Sequence, residues 1–128
     1  MNKWKITLFC LLGMLQMSAF ADEPQRVYLF GVATNLNDST VYITDVQHLD
    51  SLTINPDGSL TNHVGYTLQL KVYLEGTLNE TYQTCAVIYS DKKKKLTKRF
   101  SNVQRRLQHK KDKRPHLISK ESFQFQKL

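Results

Sequence analysis

Beyond residue 25, two runs of apolar, aromatic and β-branched residues are separated by a polar loop. The runs are RVYLFGVA (26–33) and TVYITDV (40–46), and the loop is TNLNDS (34–39). β-branched and aromatic side chains favour strands, whereas Asn, Asp and Ser favour turns. Because the connection is short, this pattern predicts an antiparallel hairpin.

A turn and a short strand are predicted next. Asn55-Pro56-Asp57-Gly58 combines a proline with fixed φ and a glycine that accepts positive φ, which is typical of a tight turn. The residues just before it, Leu52 to Ile54, predict a short strand.

The segment VGYTLQLKVYLE (64–75) fits two periods at once. Its apolar residues alternate as in a strand at Val64, Tyr66, Leu68, Leu70, Val72 and Leu74. One helical face is formed equally well by Tyr66, Leu70, Tyr73 and Leu74. Asn62 is placed to cap the start of such a helix and Gly76 to end it. We interpret the segment as a helix that connects the hairpin to the next strand.

An apolar strand then runs directly into an amphipathic helix. Residues 84–89, TCAVIY, do not alternate with polar residues, which predicts an interior strand covered on both faces. Ser90 and Asp91 follow as candidate N-cap residues. From there the apolar positions recur at steps of four, three and four, at Leu96, Phe100, Val103 and Leu107. That spacing predicts one face of a helix.

The C-terminal part completes the predicted fold. Pro115 ends or follows the basic helix, Leu117 and Ile118 return to the core, and SFQFQ (122–126) predicts a final strand. The predicted order is β-β-α-β-α-β, with a right-handed parallel crossover in the last β-α-β unit. The fold class is therefore α/β (α+β), a two-layer sandwich of a mixed sheet and two helices.

The polar face of the second helix is uniformly basic. No acidic residue lies between 92 and 111, although i,i+4 Glu–Lys pairs usually stabilise an exposed helix. Like charges four residues apart, such as Lys94 and Lys98, cost about 0.2–0.5 kcal/mol per pair. Two interpretations stay open, a solvated face and a surface that meets an anion. The candidate anion-binding residues are Ser90, Lys92, Lys93, Lys94, Lys95, Lys98, Arg99, Arg105 and Arg106.

The junction between strand and helix offers a more specific form of anion binding. Amides at a helix N-terminus bind phosphate or sulfate well, and the carboxyl end of a strand is a common ligand position. Ser90 and Lys92 lie at this junction. The alternative is that the Asp91 carboxylate itself caps these amides.

The first 21 residues predict a secretory signal. Lys3 and Lys5 precede an apolar run from Ile6 to Met17, and Ala19-Phe20-Ala21 forms an A-x-A cleavage site. The apolar run is too short to span a bilayer. We expect export to the periplasm, the cell surface or the medium, with residues 22–128 as a single small domain and no transmembrane segment.

Charge is divided unevenly along this domain. Residues 22–91 hold two basic and nine acidic residues, for a net −7, and residues 92–128 hold fourteen basic and two acidic residues, for a net +12. The predicted partner is a polyanion, namely an envelope glycan, a lipid headgroup or a nucleic acid, or else an acidic protein. The alternative is a structural subunit whose acidic front half docks on the basic helix of a neighbour. The oligomeric state stays open.

No catalytic chemistry is predicted. The four histidines have no metal-ligand spacing, and the sequence contains no G-x-S-x-G elbow and no glycine-rich phosphate loop. Cys85 is the one cysteine left after signal removal, and its apolar neighbours predict a buried, inert thiol. We therefore expect a non-enzymatic protein without catalytic residues, a metal or a cofactor.

Three segments carry a resemblance to a known group of proteins. NDSTVYITDVQHLDS, LQLKVYLEG and TCAVIYSDKKKK with its basic helix resemble small exported proteins of the Bacteroides–Prevotella group. The resemblance covers most of the chain after the signal and implies a helix at 64–75 and a periplasmic or surface location in Bacteroidota. It implies no activity and carries no catalytic residue onto this sequence.

Overall fold

The computed structural model describes residues 23–128, and the predicted signal segment lies outside them. These residues form a five-stranded mixed sheet and two helices, which confirms the predicted fold class, with one strand more than the predicted order β-β-α-β-α-β contains. The elements are β1 Gln25–Asn35, β2 Asp38–Thr44, β3 Gln47–Leu52, α1 His63–Thr77, β4 Thr84–Ser90, α2 Lys93–His109 and β5 Arg114–Ile118.

The central strand is β1, whose two edges are both paired. β4 runs antiparallel along one edge, from Tyr28 to Thr34. The other edge is shared, because β2 pairs antiparallel with residues 32–35 and β3 pairs antiparallel with residues 25–29. β5 joins the outer side of β2 in parallel. The predicted β1–β2 hairpin is confirmed, and β4 and β5 are edge strands.

Along the shared edge of β1, Gly31 lies between the residues that pair with β3 and those that pair with β2. Its amide donates a 2.8 Å hydrogen bond to the buried Thr44 Oγ1, so a hydroxyl replaces the missing ladder carbonyl. Leu70 of α1 packs directly over the glycine, and a Cβ at this position would lie 2.5 Å from Leu70 Cδ2. The absence of a side chain therefore allows α1 to approach the sheet.

Opposite faces of the sheet carry one helix each. Val27, Leu29 and Ala33 of β1 join a cluster with Tyr66, Leu70 and Leu74 of α1. The alternate residues Tyr28, Phe30 and Val32 join a second cluster with Leu96, Phe100 and Val103 of α2. Because successive side chains of a strand point to opposite faces, the fold has helix, sheet and helix layers. The sequence analysis predicted two layers, whereas the structure has three.

The amphipathic helix predicted from Leu96 onward is confirmed. Leu96 is fully buried against the sheet, and the rings of Phe100 and Phe30 meet edge to face with centroids 5.3 Å apart. Full burial of such side chains contributes about 1.5–3 kcal/mol each. This apolar contact holds α2 on the sheet and leaves its polar face outward.

The helix predicted at 64–75 is also confirmed, but its ends differ from the prediction. Asn62 has a left-handed φ of 64°, and its carbonyl rather than its side chain accepts hydrogen bonds from the amides of Gly65 and Tyr66. Gly76 lies inside α1, which continues to Thr77. The helix is therefore fixed by burial of Tyr66, Leu70 and Leu74 and not by side-chain capping.

The predicted final strand at 122–126 is wrong. The last strand is β5, Arg114–Ile118, and it includes Pro115. A proline is tolerated there because β5 is an edge strand, where one missing N–H breaks no second ladder. Residues 123–126 lie outside the sheet ladder and are held by glutamine side chains.

Two other predicted strands differ from the structure. The apolar strand at 84–89 was expected in the interior, but β4 pairs only with β1 in the described part of the chain, and its outer edge is open. The short strand expected at 52–54 lies earlier, as β3 (Gln47–Leu52), while Ile54 forms a single bridge to Leu60. The turn at 55–58 is confirmed, since the Gly58 amide donates to the Asn55 carbonyl at 2.8 Å and Gly58 has a φ of 89°.

Two glycine substitutions test the contact between α1 and the sheet. Gly31→Ala should lower the free energy of unfolding by about 1–3 kcal/mol, because the new methyl group overlaps buried Leu70. Gly76→Ala should raise it by about 0.5–1 kcal/mol, since the site is open and alanine favours a helix. Urea unfolding followed by circular dichroism measures both. Equal effects of the two changes would show that Gly31 is not a contact point.

Candidate functional site

All cationic candidates project into solvent from or beside α2. The side chains of Lys92 to Lys95, Lys98, Arg99, Arg105 and Arg106 are exposed, whereas Ser90 is half-buried at the end of β4. The packing of the apolar face explains this arrangement, because burying Leu96 and Phe100 turns most charged positions away from the sheet. Arg99 is nearer to the sheet and borders β4. The structure thus brings the basic residues to one outer surface.

The charge is concentrated on one side of the helix. Successive residues are rotated by about 100°, so Lys94, Lys98 and Arg105 point directly away from the sheet. One flank carries Lys95, Arg99 and Arg106, while the other flank carries the uncharged Thr97, Gln104 and Gln108, with Lys93 as a cation at the start of the helix. We call the six cations Lys94, Lys95, Lys98, Arg99, Arg105 and Arg106 the basic ridge. Its length is about 18 Å from Lys94 to Arg106, at about 1.5 Å per residue.

No carboxylate of the described residues forms a salt bridge with the basic ridge. Within residues 23–128 the one salt bridge joins Arg26 Nε and Asp50 Oδ1, 2.6 Å apart, at the β1–β3 edge. The Arg26 hydrogen bond lowers the pKa of Asp50, and the same bond raises the pKa of Arg26. The acidic residues that the structure describes in the front half of the chain, from Glu23 to Asp91, therefore make no ion pair with α2.

The helix start differs from the predicted cap. The N-cap position is Lys92 rather than Ser90 or Asp91, and its side chain caps nothing. Ser90 Oγ instead accepts a 3.1 Å hydrogen bond from the Lys92 amide. Among the described residues, no side chain accepts from the amides of residues 93–95. The predicted alternative, in which the Asp91 carboxylate caps these amides, is therefore wrong. Lys92 and Lys93 lie at this uncapped end of the helix.

Cys85 is half-buried rather than buried. Its side chain packs against the cluster under α1 and borders a groove beside that helix. Burial raises the pKa of the thiol, with a smaller opposing effect from Lys71. A protonated thiol is a weak nucleophile, because the thiolate is the reactive form.

A second polar contact joins distant parts of the chain. The Tyr42 hydroxyl donates a 2.9 Å hydrogen bond to Glu80 Oε1, and the Tyr42 ring meets His116 edge to face. Burial and this hydrogen bond raise the pKa of Tyr42 to about 12. Glu80 is thus committed to an internal contact and is less available to a partner.

Two glutamines with a structural role have no signal in the sequence pattern. The Gln47 side-chain amide donates to Phe123 O at 3.0 Å and accepts from the Phe125 amide at 2.8 Å. The Gln69 amide pairs in the same way with Gln126, at 2.7 and 2.8 Å. In both cases a side-chain amide replaces a neighbouring strand for the C-terminal segment.

One further surface was also missed. Val64, Leu68 and Val72 project from α1 into solvent, on the side opposite its buried residues. The sequence does contain a signal for this surface, because these three apolar residues of the segment 64–75 are not part of its predicted buried face.

Other kinds of site find little support in the geometry. No group of three or more His, Cys, Asp or Glu side chains within residues 23–128 is arranged to hold a metal ion. Neither helix of this part of the chain combines the length and apolar character needed to cross a membrane. No protein-family model, curated protein or solved structure matches the chain.

The contact between Tyr42 and Glu80 gives the protein a defined alkaline response. Because the folded-state pKa is about 12 and an unfolded tyrosine ionises near about 10, this tyrosine's contribution to stability is present below about pH 10 and is lost between about 10 and 12. Absorbance at 295 nm should show a late ionisation step that disappears in Tyr42→Phe. The control Tyr82→Phe, at an exposed side chain, should keep that step. Persistence of the step in Tyr42→Phe would contradict the assignment.

The charge of the first turn of α2 should oppose its stability. Lys94→Glu exchanges a cation for an anion at a helix N-terminus and places a carboxylate four residues before Lys98, so we expect a gain of about 1 kcal/mol. The exposed Lys111→Glu makes the same charge change beyond the helix and should give no gain. Thermal unfolding at low salt measures both. A destabilised Lys94→Glu variant would show that the lysines support the fold directly.

Proposed function

We propose that this protein is an exported, non-enzymatic domain whose basic ridge binds a polyanion. The observation that carries the proposal is the set of six exposed cations along one side of α2, with no carboxylate partner in the described structure. The opposite flank is uncharged beyond Lys93, which argues against charge serving only hydration, since hydration favours no particular side of the exposed helix face.

The cost of this charge to the stability of α2 supports a role for it. Three like-charge pairs at i,i+4 lie in or just beyond the helix, and lysines occupy its first turn, where the dipole disfavours them. Each pair costs about 0.2–0.5 kcal/mol. A polyanion relieves this repulsion when it binds and releases its own condensed counterions, which gives a salt-dependent affinity.

The ligand class follows from the shape of the ridge. The cations form a line about 18 Å long on the surface of a convex helix, not a closed pocket. Such a line suits repeated phosphate, sulfate or carboxylate groups on an extended polymer or a membrane surface. For an exported protein this means an anionic envelope glycan or lipid headgroup, with nucleic acid and acidic protein sharing the same chemistry. The uncapped amides of residues 93–95 extend the line at one end.

Self-assembly through the acidic front half is the competing function. Five of the acidic side chains that it would use already have internal partners: Asp38 with the Thr40 amide, Asp45 with the Lys120 amide, Asp50 with Arg26, Asp57 with Ser59, and Glu80 with Tyr42. These contacts reduce the negative surface available to the basic helix of a neighbour. Self-assembly is therefore an outcome that the following test must separate from polyanion binding.

A charge-matched pair of variants tests the basic ridge. Lys94, Lys98 and Arg105 are changed together to Gln in one variant, and the exposed Lys71, Lys120 and Lys127 in the other, so both lose three positive charges. Retention on immobilised heparin should fall strongly in the ridge variant and little in its control. With a DNA probe, the slope of log K against log salt should decrease by about 2–3, at about 0.7–0.9 per lost contact.

Three results would contradict the proposal. Equal losses in both variants would show that net charge alone causes retention. Unchanged retention in the ridge variant would place binding elsewhere. Salt-sensitive dimers in light scattering, combined with no affinity for heparin or DNA, would favour the self-assembly function.

A further inference from the structure

A groove lies between α1 and the first half of β4. It is lined by Val64, Thr67, Leu68 and Lys71 of α1 and by residues 83–85 at the start of β4. We call it the α1–β4 groove. α1 and α2 cover opposite faces of the sheet, so this groove and most of the basic ridge lie on different faces. Arg99 of the ridge borders the second half of β4, next to Val87 and Tyr89.

One wall of the groove is apolar and exposed. Val64 is 79% exposed and Leu68 is 55% exposed, and Val72 continues the same line one turn further at 59%. These residues are spaced by four, so they form one stripe along α1. Lone exposed apolar side chains are ordinary, but a continuous stripe beside a groove is typical of a binding surface.

The other wall is an open strand edge. His63 Nε2 contacts the Val87 carbonyl at 3.3 Å, which shows that the backbone groups of Val87 point away from β1. Backbone groups two residues apart in a strand point the same way, so those of Cys85 also face outward. Within residues 23–128, no group donates to the Cys85 carbonyl or accepts from the Cys85 amide. An edge of this kind is a template for an added strand.

A buried amide without a partner completes the groove. Gln83 is only 4% exposed, and within residues 23–128 neither its side-chain nitrogen nor its side-chain oxygen has a hydrogen-bond partner. Buried polar groups are nearly always paired, so an orphaned donor and acceptor on one side chain is unusual. A peptide group is the natural complement, because it also presents one donor and one acceptor.

The same molecule shows what such an amide binds. The side-chain amides of Gln47 and Gln69 each pair with the backbone of an extended segment, using both donor and acceptor. Gln83 is buried beside a strand of this sheet, and it stands next to an unpaired edge. The chemistry of the first two therefore indicates the ligand of the third.

We propose that the α1–β4 groove binds an extended polypeptide segment of another protein, which adds as a strand to the edge of β4. Its backbone pairs with the outward groups of Cys85 and with the Gln83 amide, which it reaches by displacing side chains of the groove. Alternate apolar side chains pack on Val64 and Leu68, as in other cases of strand addition. Lys71 at the rim favours an acidic residue in the segment. This binding is independent of the polyanion proposed for the ridge.

A labelled peptide tests the proposal directly. The probe is fluorescein-Glu-Val-Thr-Val-Thr-Val-Thr-amide, titrated with the purified protein and followed by fluorescence anisotropy. We expect saturable binding that is lost when alternate amides of the peptide are N-methylated, because the backbone then cannot pair with β4. Leu68→Lys should raise Kd at least tenfold. The control Leu117→Lys, at an exposed leucine of β5, should change Kd less than twofold.

Gln83→Leu separates binding from folding. This variant should raise Kd at least fivefold while the midpoint of thermal unfolding stays the same or increases, since it removes an unpaired buried amide. The ridge variant should bind the peptide as the unmodified protein does, which keeps this result distinct from the polyanion test.

Four outcomes would overturn the inference. They are the absence of saturable binding, equal affinity for the N-methylated peptide, unchanged affinity in Leu68→Lys, and a protein dimer that Leu68→Lys dissociates. The last would show that a second copy of this chain, and not a foreign segment, occupies the groove.

Discussion

The fold depends on the burial of the middle of β1. Its two faces carry different helices, and its two edges pair with three strands, so Val27, Leu29 and Phe30 have no exposed surface. Gly31 makes this arrangement possible at the point of closest approach, where Leu70 lies above the backbone and Thr44 replaces a ladder carbonyl. With the interior organised around one strand, both candidate binding surfaces are left on the outer layers.

Local periodicity predicted the parts of the fold that local contacts determine. The β1–β2 hairpin, both helices and the turn ending at Gly58 follow from spacing and turn chemistry over a few residues. Strand position in the sheet is different, because it depends on pairing between distant residues. The apolar run at 84–89 resembles an interior strand, although it owes its apolar character to helices above and below an edge. The segment 122–126 likewise has strand composition, but glutamine side chains at 47 and 69 hold it instead.

The two candidate surfaces differ in how far sequence could predict them. The basic ridge follows from composition and helical spacing, since burying Leu96 and Phe100 leaves only one direction for the lysines and arginines. The groove follows from neither, because it needs α1 and β4 side by side. Gln83 is an ordinary polar residue in the sequence and becomes notable only once its surroundings leave it without a partner. A charged surface can thus be predicted from the sequence, whereas an unpaired buried amide can be identified only from the three-dimensional structure.

The glutamine contacts to the C-terminal segment have a consequence for the exported protein proposed above. Carboxamides do not titrate, and hydrogen bonds between neutral groups are little affected by ionic strength. The hydrogen bonds of Gln47 and Gln69 to residues 123–126 are therefore kept at low pH and at both high and low salt. An attraction between charges on α2 and a ligand instead weakens at high salt and strengthens in dilute medium. Environmental variation outside the cytoplasm would accordingly regulate what the surface captures while leaving the closure of the domain intact.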